Sequence, residues 1–427
     1  MLALYVLLIF LGLALVGFPV AIALGVSSLA FAMMLDIPYS VIVQTLFTSV
    51  DNFSYIAIPL FMLVGNLMET GGLSRRLVRF ARSFFKKVPG SLGSISVASC
   101  AFFGAISGSA SATTASIGGM MVPEMIDKDY PKGYAGALVA VAGTLGAIIP
   151  PSIVMIIYAV VAEVSVTDMF IAGFLPGLIM ALTLIITNTV YCMVMKIDVT
   201  DKKARVSLKE IIESFWDAKW ALLTPVIILG GIYSGIFTAT ECAVIATIYS
   251  LIVGVFIHKE LTISSIVKIF ARTIRTVGMV LIVVPMAITL GKLLTISRVT
   301  NEIGNWVLTI ADTPNGILLI VMLFVFIAGM FMDSAPIILI MTPIFLPILM
   351  GMGVSPIHFG IIMTVGSMMA AVTPPVGVNL FIGQGIAGVD TLTIMKYATG
   401  FIAVFMMAFI FIVLNPWVSL TLVSFFK

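Results

Sequence analysis

Two proline pairs interrupt the apolar sequence at matching places. The first lies in Gly143-Thr-Leu-Gly-Ala-Ile-Ile-Pro-Pro-Ser152, and the second, 224 positions later, lies in Gly366-Ser-Met-Met-Ala-Ala-Val-Thr-Pro-Pro-Val-Gly377. Each proline removes a backbone donor and clashes with the carbonyl four residues before it. A pair inside an apolar run therefore predicts a membrane helix that is broken within its length. A mere kink is the alternative, but it explains two matched breaks poorly.

The proline pairs belong to a longer internal repeat. Residues 55–68 align with residues 281–294, because Pro59 and Gly65 each have a counterpart 226 positions later. Pro123 has a counterpart 220 positions later. Landmarks in the same order at nearly constant offset predict two structural repeats. Interrupted helices at corresponding repeat positions are the best sequence pointer to the binding site of a secondary transporter.

Composition sets the class of protein. Of 427 residues, 61% are hydrophobic and only 10% are charged, and the mean hydropathy is +1.23. A soluble domain carries about 25% charged residues, so this chain cannot cover itself with a polar surface. The apolar runs have membrane-spanning length and lack the alternation of a barrel, which predicts an all-α polytopic protein in a lipid bilayer. The net charge of +3 is too small to indicate nucleic acid, and two histidines and three scattered cysteines form no metal or disulfide pattern.

Charge indicates how the repeats are oriented. Segment 75–87 carries six basic residues, whereas its repeat partner at 301–313 carries none. Segment 258–275 carries four, whereas its partner at 33–50 carries none. Short loops rich in Lys and Arg stay cytoplasmic, so equivalent positions face opposite sides and the repeats have inverted topology. Both basic segments are also amphipathic, which predicts either helices lying in the interface or ordinary topology-determining loops.

Two polar tips sit inside apolar runs and predict two re-entrant hairpins. The first is Gly104-Ala-Ile-Ser-Gly-Ser-Ala-Ser-Ala-Thr-Thr114, whose hydroxyls suit a desolvated Na⁺; close packing of small residues is the alternative. The second is Gly329-Met-Phe-Met-Asp-Ser-Ala-Pro336. Asp333 within it is an ionisable residue at membrane depth, which is a functional hypothesis by default. It is also a good helix N-cap, and both roles are compatible.

Arg298 ends an apolar span and is the candidate for gripping an organic anion. A guanidinium binds a carboxylate at two points. The alternative is an arginine that reaches to the membrane interface and anchors a helix end.

At these motifs the chain resembles the large membrane subunit of the tripartite ATP-independent periplasmic (TRAP) transporters. The matching stretches are in both halves and in the order of the family: Leu145-Gly-Ala-Ile-Ile-Pro-Pro-Ser-Ile-Val-Met-Ile-Ile-Tyr158, Ser234-Gly-Ile-Phe-Thr-Ala-Thr-Glu-Cys-Ala243, Phe331-Met-Asp-Ser-Ala-Pro336, Thr342-Pro-Ile-Phe-Leu-Pro347 and Thr373-Pro-Pro-Val-Gly-Val-Asn-Leu-Phe381. The resemblance implies an elevator-type Na⁺ symporter in the bacterial inner membrane, possessing two hairpins and two broken helices. It also implies organic-acid substrates of the C4-dicarboxylate or sialic-acid type, and the chain resembles the sialic-acid branch more closely.

The same resemblance implies partners and site residues. The partners would be a small membrane subunit of four helices, here a separate chain, and a periplasmic substrate-binding protein. One Na⁺ site would use side chains or backbone of Ser107, Ser109, Ser111, Gly143, Gly146 and Ile149. A symmetric second site would use Asp333 and Thr373. Ser152, Asp333 and Arg298 would face the substrate.

The expected organisation alternates scaffold and transport segments. They are scaffold helices with a first amphipathic arm (1–88), a first transport half (89–165), scaffold helices with a polar loop and second arm (166–300), a second transport half (301–390) and a C-terminal scaffold helix (391–427). Residues 2–35 could form one tilted helix or two short ones. A stand-alone anion transporter and a channel remain alternatives. An intramembrane enzyme is disfavoured, because the sequence offers no suitable Ser–His dyad or pair of intramembrane aspartates.

Overall fold

The computed structural model describes residues 2–85, 87–198 and 208–426, and within these ranges it is a helical bundle without a strand. Seven of the described helices are long and apolar enough to cross a membrane. The prediction of an all-α polytopic membrane protein is confirmed. The first 35 residues form two helices, because the chain turns at 16–19, where Gly17 has a φ of 94° and Pro19 precedes the second helix.

Eleven α-helices and one short 3-10 helix (Phe53–Ile56) are described before the segment 199–207, which lies outside the described residues. In chain order, the α-helices are α1 (Leu2–Leu15), α2 (Val20–Met34), α3 (Tyr39–Thr48), α4 (Ala57–Thr70), α5 (Leu73–Phe85), α6 (Ser91–Ser107), α7 (Ala110–Asp127), α8 (Lys132–Gly143), α9 (Leu145–Ile148), α10 (Ile153–Val161) and α11 (Val166–Met195).

The described helices after this segment largely repeat the same order. They are α12 (Leu208–Tyr233), α13 (Ala239–Ile252), α14 (Ile263–Ile296), α15 (Val299–Ile310), α16 (Pro314–Gly329), α17 (Ser334–Gly351), α18 (Pro356–Ala370), α19 (Val378–Ala387), α20 (Thr391–Leu414) and α21 (Trp417–Phe426).

Two hairpins and two broken helices occur at the positions that the sequence predicts. The hairpins are α6–α7 and α16–α17, with tips of two and four residues. The broken helices are α8–α10 and α18–α19, and each break contains one proline pair, joined by a cis peptide bond. The axis bends by 44° across the first break. A proline pair inside an apolar run was therefore sufficient to predict each interruption.

Polar contacts repeat between the halves as well. The Asn66 Nδ2 in α4 donates to Thr273 Oγ1 at 2.8 Å, and the Lys292 Nζ in α14 donates to Thr45 Oγ1 at 3.1 Å. Asn66 and Lys292 are 226 positions apart, which is the offset of the repeat. The two halves thus hold α4 and α14 in place with equivalent side-chain contacts.

A second matched pair fixes the start of each broken helix. The Tyr134 hydroxyl in α8 donates to Asn188 Oδ1 in α11 at 2.8 Å. His358, 224 positions later in α18, lies 3.1 Å from the Ser419 hydroxyl in α21 through its Nδ1. Both residues are buried. Each broken helix is therefore anchored near its first turn by a polar contact to a helix that follows it.

The long helices α11 and α20 pack against the hairpins and broken helices. Helix α11 contacts α6, α20 contacts α8 and α18, and the two also contact each other. The sequence-based division assigned both to the scaffold. This packing favours grouping α11 and α20 with the transport halves. The division into scaffold and transport segments itself remains a prediction.

Candidate ion and substrate site

The tip of the first hairpin is built from hydroxyl groups. Helix α6 ends at Ser107, Gly108 is left-handed with a φ of 62°, and the Ser109 hydroxyl caps α7 by accepting the Ala112 N–H at 3.4 Å. The Ser107 hydroxyl lies 2.9 Å from the Thr113 hydroxyl, which donates to the Ser109 carbonyl at 2.8 Å. The hydroxyl oxygens of Ser107 and Thr113 and the carbonyl oxygen of Ser109 therefore lie close together at the hairpin tip.

The three predicted serines differ in exposure. Ser107 is buried, Ser109 is half-buried and Ser111 is exposed. The Ser109 and Ser111 hydroxyls are 3.3 Å apart. The structure thus brings all three to one tip, with Ser107 directed inward and Ser111 at the outer surface.

The first break supplies carbonyls and a second cap. Ile149 leaves the helical conformation (φ −81°, ψ 128°), which takes the backbone out of the regular helical hydrogen-bonding pattern. The buried Ser152 hydroxyl accepts the Met155 N–H at 3.3 Å and donates to the Ala147 carbonyl at 2.6 Å. Ser152 therefore links the backbone before the break to the first turn of α10, which it caps.

Tip and break are docked against each other. The Ile153 N–H donates to the Gly108 carbonyl at 3.2 Å. Gly146 approaches the tip so closely that a Cβ there would lie 2.2 Å from the Thr113 hydroxyl oxygen and 2.6 Å from the Ser109 carbonyl oxygen. Gly143 is equally constrained, since its Cβ would lie 1.8 Å from the Thr114 hydroxyl. Only glycine lets the broken helix reach the hydroxyl cluster.

The second half is built in the same way. The exposed Asp333 caps α17, and its Oδ1 accepts the Ser334 N–H at 2.8 Å. The Val376 N–H of the second break donates to the Met330 carbonyl of the second tip at 3.0 Å. The Thr373 hydroxyl donates to the Met369 carbonyl at 2.9 Å. Asp333 and Thr373 thus belong to one docked tip and break, although no contact between their side chains is found among the described residues.

Arg298 lies outside both units. It occupies the junction of α14 and α15, where it is exposed and left-handed with a φ of 58°. Helix α15 crosses the open end of the second hairpin: it bends by 114° relative to α16, and a Cβ on its Gly304 would lie 3.0 Å from Ile348, near the end of α17. The Asp333 tip is at the other end of that hairpin. This placement favours the anchoring interpretation of Arg298, and its substrate role remains a prediction.

The donor set of the first unit fits an alkali cation. Hydroxyl and carbonyl oxygens are hard, neutral ligands, of the kind that hard cations take in proteins. The breaks and tips also present the N-terminal ends of α7, α10, α17 and α19, whose partial positive charge favours anionic groups. Donor oxygens of the kind that bind Na⁺ and helix ends of the kind that bind anions therefore occur in the same hairpins and breaks.

Comparison with known proteins decides the family. Residues 7–418 match the family model of the tripartite ATP-independent periplasmic transporter, DctM component. The chain belongs to this family. The prediction of a TRAP large membrane subunit is thus confirmed, and the relatives described below carry names of transporter permeases and not of enzymes.

Curated relatives of this TRAP permease differ in the substrates in their names. A C4-dicarboxylate large permease, DctM of Pseudomonas aeruginosa, is 38% identical over 94% of this chain and 93% of its own length. A sialic acid large permease, SiaM of Vibrio cholerae, is 31% identical over 90% of each chain. The isethionate permease DctMQ of Oleidesulfovibrio alaskensis is 40% identical over 91% of this chain, which spans 61% of that relative's length.

Solved structures with low identity share the fold. The YdaH transporter of Alcanivorax borkumensis has a TM-score of 0.67, with 14% identity over 88% of each chain. MtrF of Neisseria gonorrhoeae, described as an antimetabolite efflux pump, has a TM-score of 0.60, with 14% identity over 87% of this chain and 82% of its own. These similarities show a fold that the TRAP permease shares with both structures.

Two polar residues of the site were not among the predicted ligands. Thr113 links Ser107 to the Ser109 carbonyl, and the signal for it was its position four residues after Ser109 on the same helix. Asn379 is buried just after the second break, and its Nδ2 has no hydrogen-bond partner among the described residues. A buried amide without a partner is costly, so Asn379 is a further candidate for the second unit.

Proposed function

We propose that this TRAP large permease couples the import of a small organic acid to Na⁺ in the bacterial inner membrane. The observation that carries the proposal is the docking of a hydroxyl-rich hairpin tip on a broken helix through Gly146. Such a joint offers neutral oxygens inside the bundle, and non-helical backbone at membrane depth is tolerated where it is buried in protein or lines a cavity.

Na⁺ would be held at two related joints. At the first, the hydroxyls of Ser107, Ser109 and Ser111 would act with carbonyls of Gly143, Gly146 and Ile149. At the second, Asp333 and Thr373 would act with nearby carbonyls of the tip. Binding of Na⁺ would then fix each tip on its break, so that ion binding organises the neighbouring substrate site.

The substrate would be an organic anion. Relatives in the family are named for C4-dicarboxylate, sialic acid and isethionate, which are all organic acids. Ser152 and Asp333 cap α10 and α17, two helices that pack against each other. Helix N-termini at broken spans are suited to anionic substrate groups. Arg298 would contribute only if it approaches the substrate in another conformation.

The permease would work with two partners. The family name describes a tripartite periplasmic transporter, and a periplasmic substrate-binding protein would deliver the acid. A small four-helix membrane subunit would complete the complex as a separate chain; the name DctMQ of the longer relative is consistent with such a subunit being fused there. Transport would proceed by an elevator movement, in which the docked hairpins and broken helices, together with α11 and α20, slide against the remaining helices.

The substitution Gly146→Ala tests the Na⁺ joint. The added methyl group has no space beside Thr113 and Ser109, and overpacking of this kind costs about 1–3 kcal/mol. We expect Na⁺, compared with K⁺ at equal ionic strength, to raise the melting temperature of the wild type and to have little effect on Gly146→Ala.

Gly119→Ala is the matched control, because a Cβ at Gly119 has nothing within 4 Å. It should keep the full Na⁺ shift. A wild-type protein that Na⁺ and K⁺ stabilise equally would contradict the proposed Na⁺ site, as would a full Na⁺ shift in Gly146→Ala.

A further inference from the structure

A charged cavity lies between α5 and α12, away from the hairpin tips. It has a volume of about 350 Å³ and is lined by Gly72, Arg75, Arg76, Arg79, Asp217 and Glu260, which together we name the arginine pocket. The proposed transport function uses none of these residues. The pocket joins the first amphipathic helix to the helix that follows the polar segment.

Two of its arginines are fixed by carboxylates. The Arg76 guanidinium contacts Glu260 at 3.0 Å and Asp217 at 3.8 Å, and also donates to the Gly72 carbonyl at 2.9 Å. Arg79 contacts the same Asp217 at 2.9 Å. These contacts hold the two guanidinium groups in defined positions, so a further anion would meet a preformed set of donors.

The pocket keeps one positive charge without a partner. Three arginines face two carboxylates, and Arg75 is exposed, with no hydrogen bond or ion pair among residues 2–85, 87–198 and 208–426. Burial, together with the Arg76 guanidinium, lowers the pKa of the adjacent His258, which disfavours its charged form. Gly72 directly precedes α5, whose N-terminal end contributes further partial positive charge.

The residues beside the pocket are of the kind found at the level of lipid headgroups. Trp216 and Trp220 flank Asp217 on α12, and the Lys219 ammonium lies 4.6 Å and 5.3 Å from their ring centroids. Trp with neighbouring Lys is typical of the membrane–water interface. Further along α12 the apolar Val226 is exposed, as expected for a surface in contact with acyl chains.

The arrangement is confined to one repeat. The counterpart of α5 is α15, and residues 301–313 contain no Lys or Arg. The repeat fold therefore does not require the arginines. We propose that the arginine pocket binds the phosphodiester of an anionic glycerophospholipid. One unpaired cation at headgroup depth matches the single negative charge of a phosphodiester, and a zwitterionic lipid lacks the net charge to compete.

The native tryptophans allow a direct test. In a Trp306→Phe, Trp417→Phe background, Trp216 and Trp220 alone report quenching by lipids with brominated acyl chains. In vesicles that mix phosphatidylcholine with phosphatidylglycerol, we expect brominated phosphatidylglycerol to bind beside these tryptophans about fivefold more tightly, as one basic residue near the surface implies. Arg75→Gln should remove this preference, while leaving the ion pairs of Arg76 and Arg79 intact.

Arg275→Gln is the matched control, since it removes one exposed charge from the other basic segment and Arg275 is not among the residues that line the pocket. It should keep the fivefold preference. Equal quenching by both brominated lipids in the parent protein would overturn the proposal, and so would an unchanged preference in Arg75→Gln or an equal loss in Arg275→Gln. Displacement of the lipid by inorganic phosphate at constant ionic strength would show a site for free phosphate instead.

Discussion

Asp333 combines a structural and a chemical role in one side chain. As the N-cap of α17 its Oδ1 accepts a backbone N–H, and as a carboxylate it is a candidate ligand. Asparagine caps a helix about as well as aspartate but carries no charge. We therefore expect Asp333→Asn to keep the melting temperature of the wild type and to lose transport by at least about tenfold, or ~1.4 kcal/mol.

Asp333→Ala completes that comparison. It should also lose the cap, at a cost of about 1 kcal/mol in stability. Initial uptake rates and thermal unfolding of both variants give the answer. Wild-type uptake by the asparagine variant would reduce Asp333 to a cap.

For Arg298, the position in the fold argues against the sequence-based hypothesis that it binds the substrate. It is exposed at the open end of the second hairpin. Lysine keeps the charge and can reach the interface equally well, but it loses the planar fork. We expect Arg298→Lys to retain uptake within about twofold, as an exposed anchoring charge contributes ~1 kcal/mol or less. A sharp fall in initial uptake by Arg298→Lys, with Na⁺ stabilisation unchanged, would restore its substrate role.

Individual site residues were predictable only in part. The serines of the first tip stood out because hydroxyls are unusual in the middle of an apolar run. Thr113 belonged to the same run, but its contact with Ser107 depends on how the chain turns at Gly108. Asn379 lies in a stretch that matches the family, but local sequence does not show whether a single amide after a break faces lipid or the interior. Such choices are made by packing and not by local sequence.

Among elements, the breaks were the most predictable feature. Proline acts on its own backbone and needs no tertiary partner, so both interruptions followed from the sequence. The packing of α11 and α20 against the transport halves did not. The sequence of a long apolar helix does not indicate which neighbouring helices it contacts. The polar contacts of Asn188 with Tyr134 and of Ser419 with His358 likewise depend on how distant helices pack.

The orientation of the elements gives a separate prediction. If the repeats are inverted, α5 and the first part of α14 lie on the cytoplasmic side, and the turn before α16 lies on the periplasmic side. Single cysteines at exposed positions Arg75→Cys, Arg275→Cys and Asp312→Cys can report this. The native Cys100, Cys192 and Cys242 are buried and should give little background.

We expect a membrane-impermeant maleimide, added to intact cells, to label the Asp312 variant only. Labelling of either arginine variant from the periplasm would contradict the inverted arrangement deduced from charge. Labelling of all three after permeabilisation is the control for reactivity.

In the whole molecule, the family fold and the proposed coupling mechanism meet at the docked hairpins. Membership of the TRAP family rests on a match over residues 7–418, and the internal repeat explains why two docked hairpins occur. An ATP-independent permease needs an ion gradient to concentrate its substrate. The docked tip at Gly146 is where that gradient would act.

The most direct test of this claim is uptake by proteoliposomes that contain the permease with its small subunit and a loaded binding protein. An inward Na⁺ gradient without ATP should drive accumulation of the organic acid, and a K⁺ gradient of equal size should not. Omitting the binding protein should abolish uptake. Accumulation that proceeds equally without Na⁺, or that requires ATP, would contradict the account.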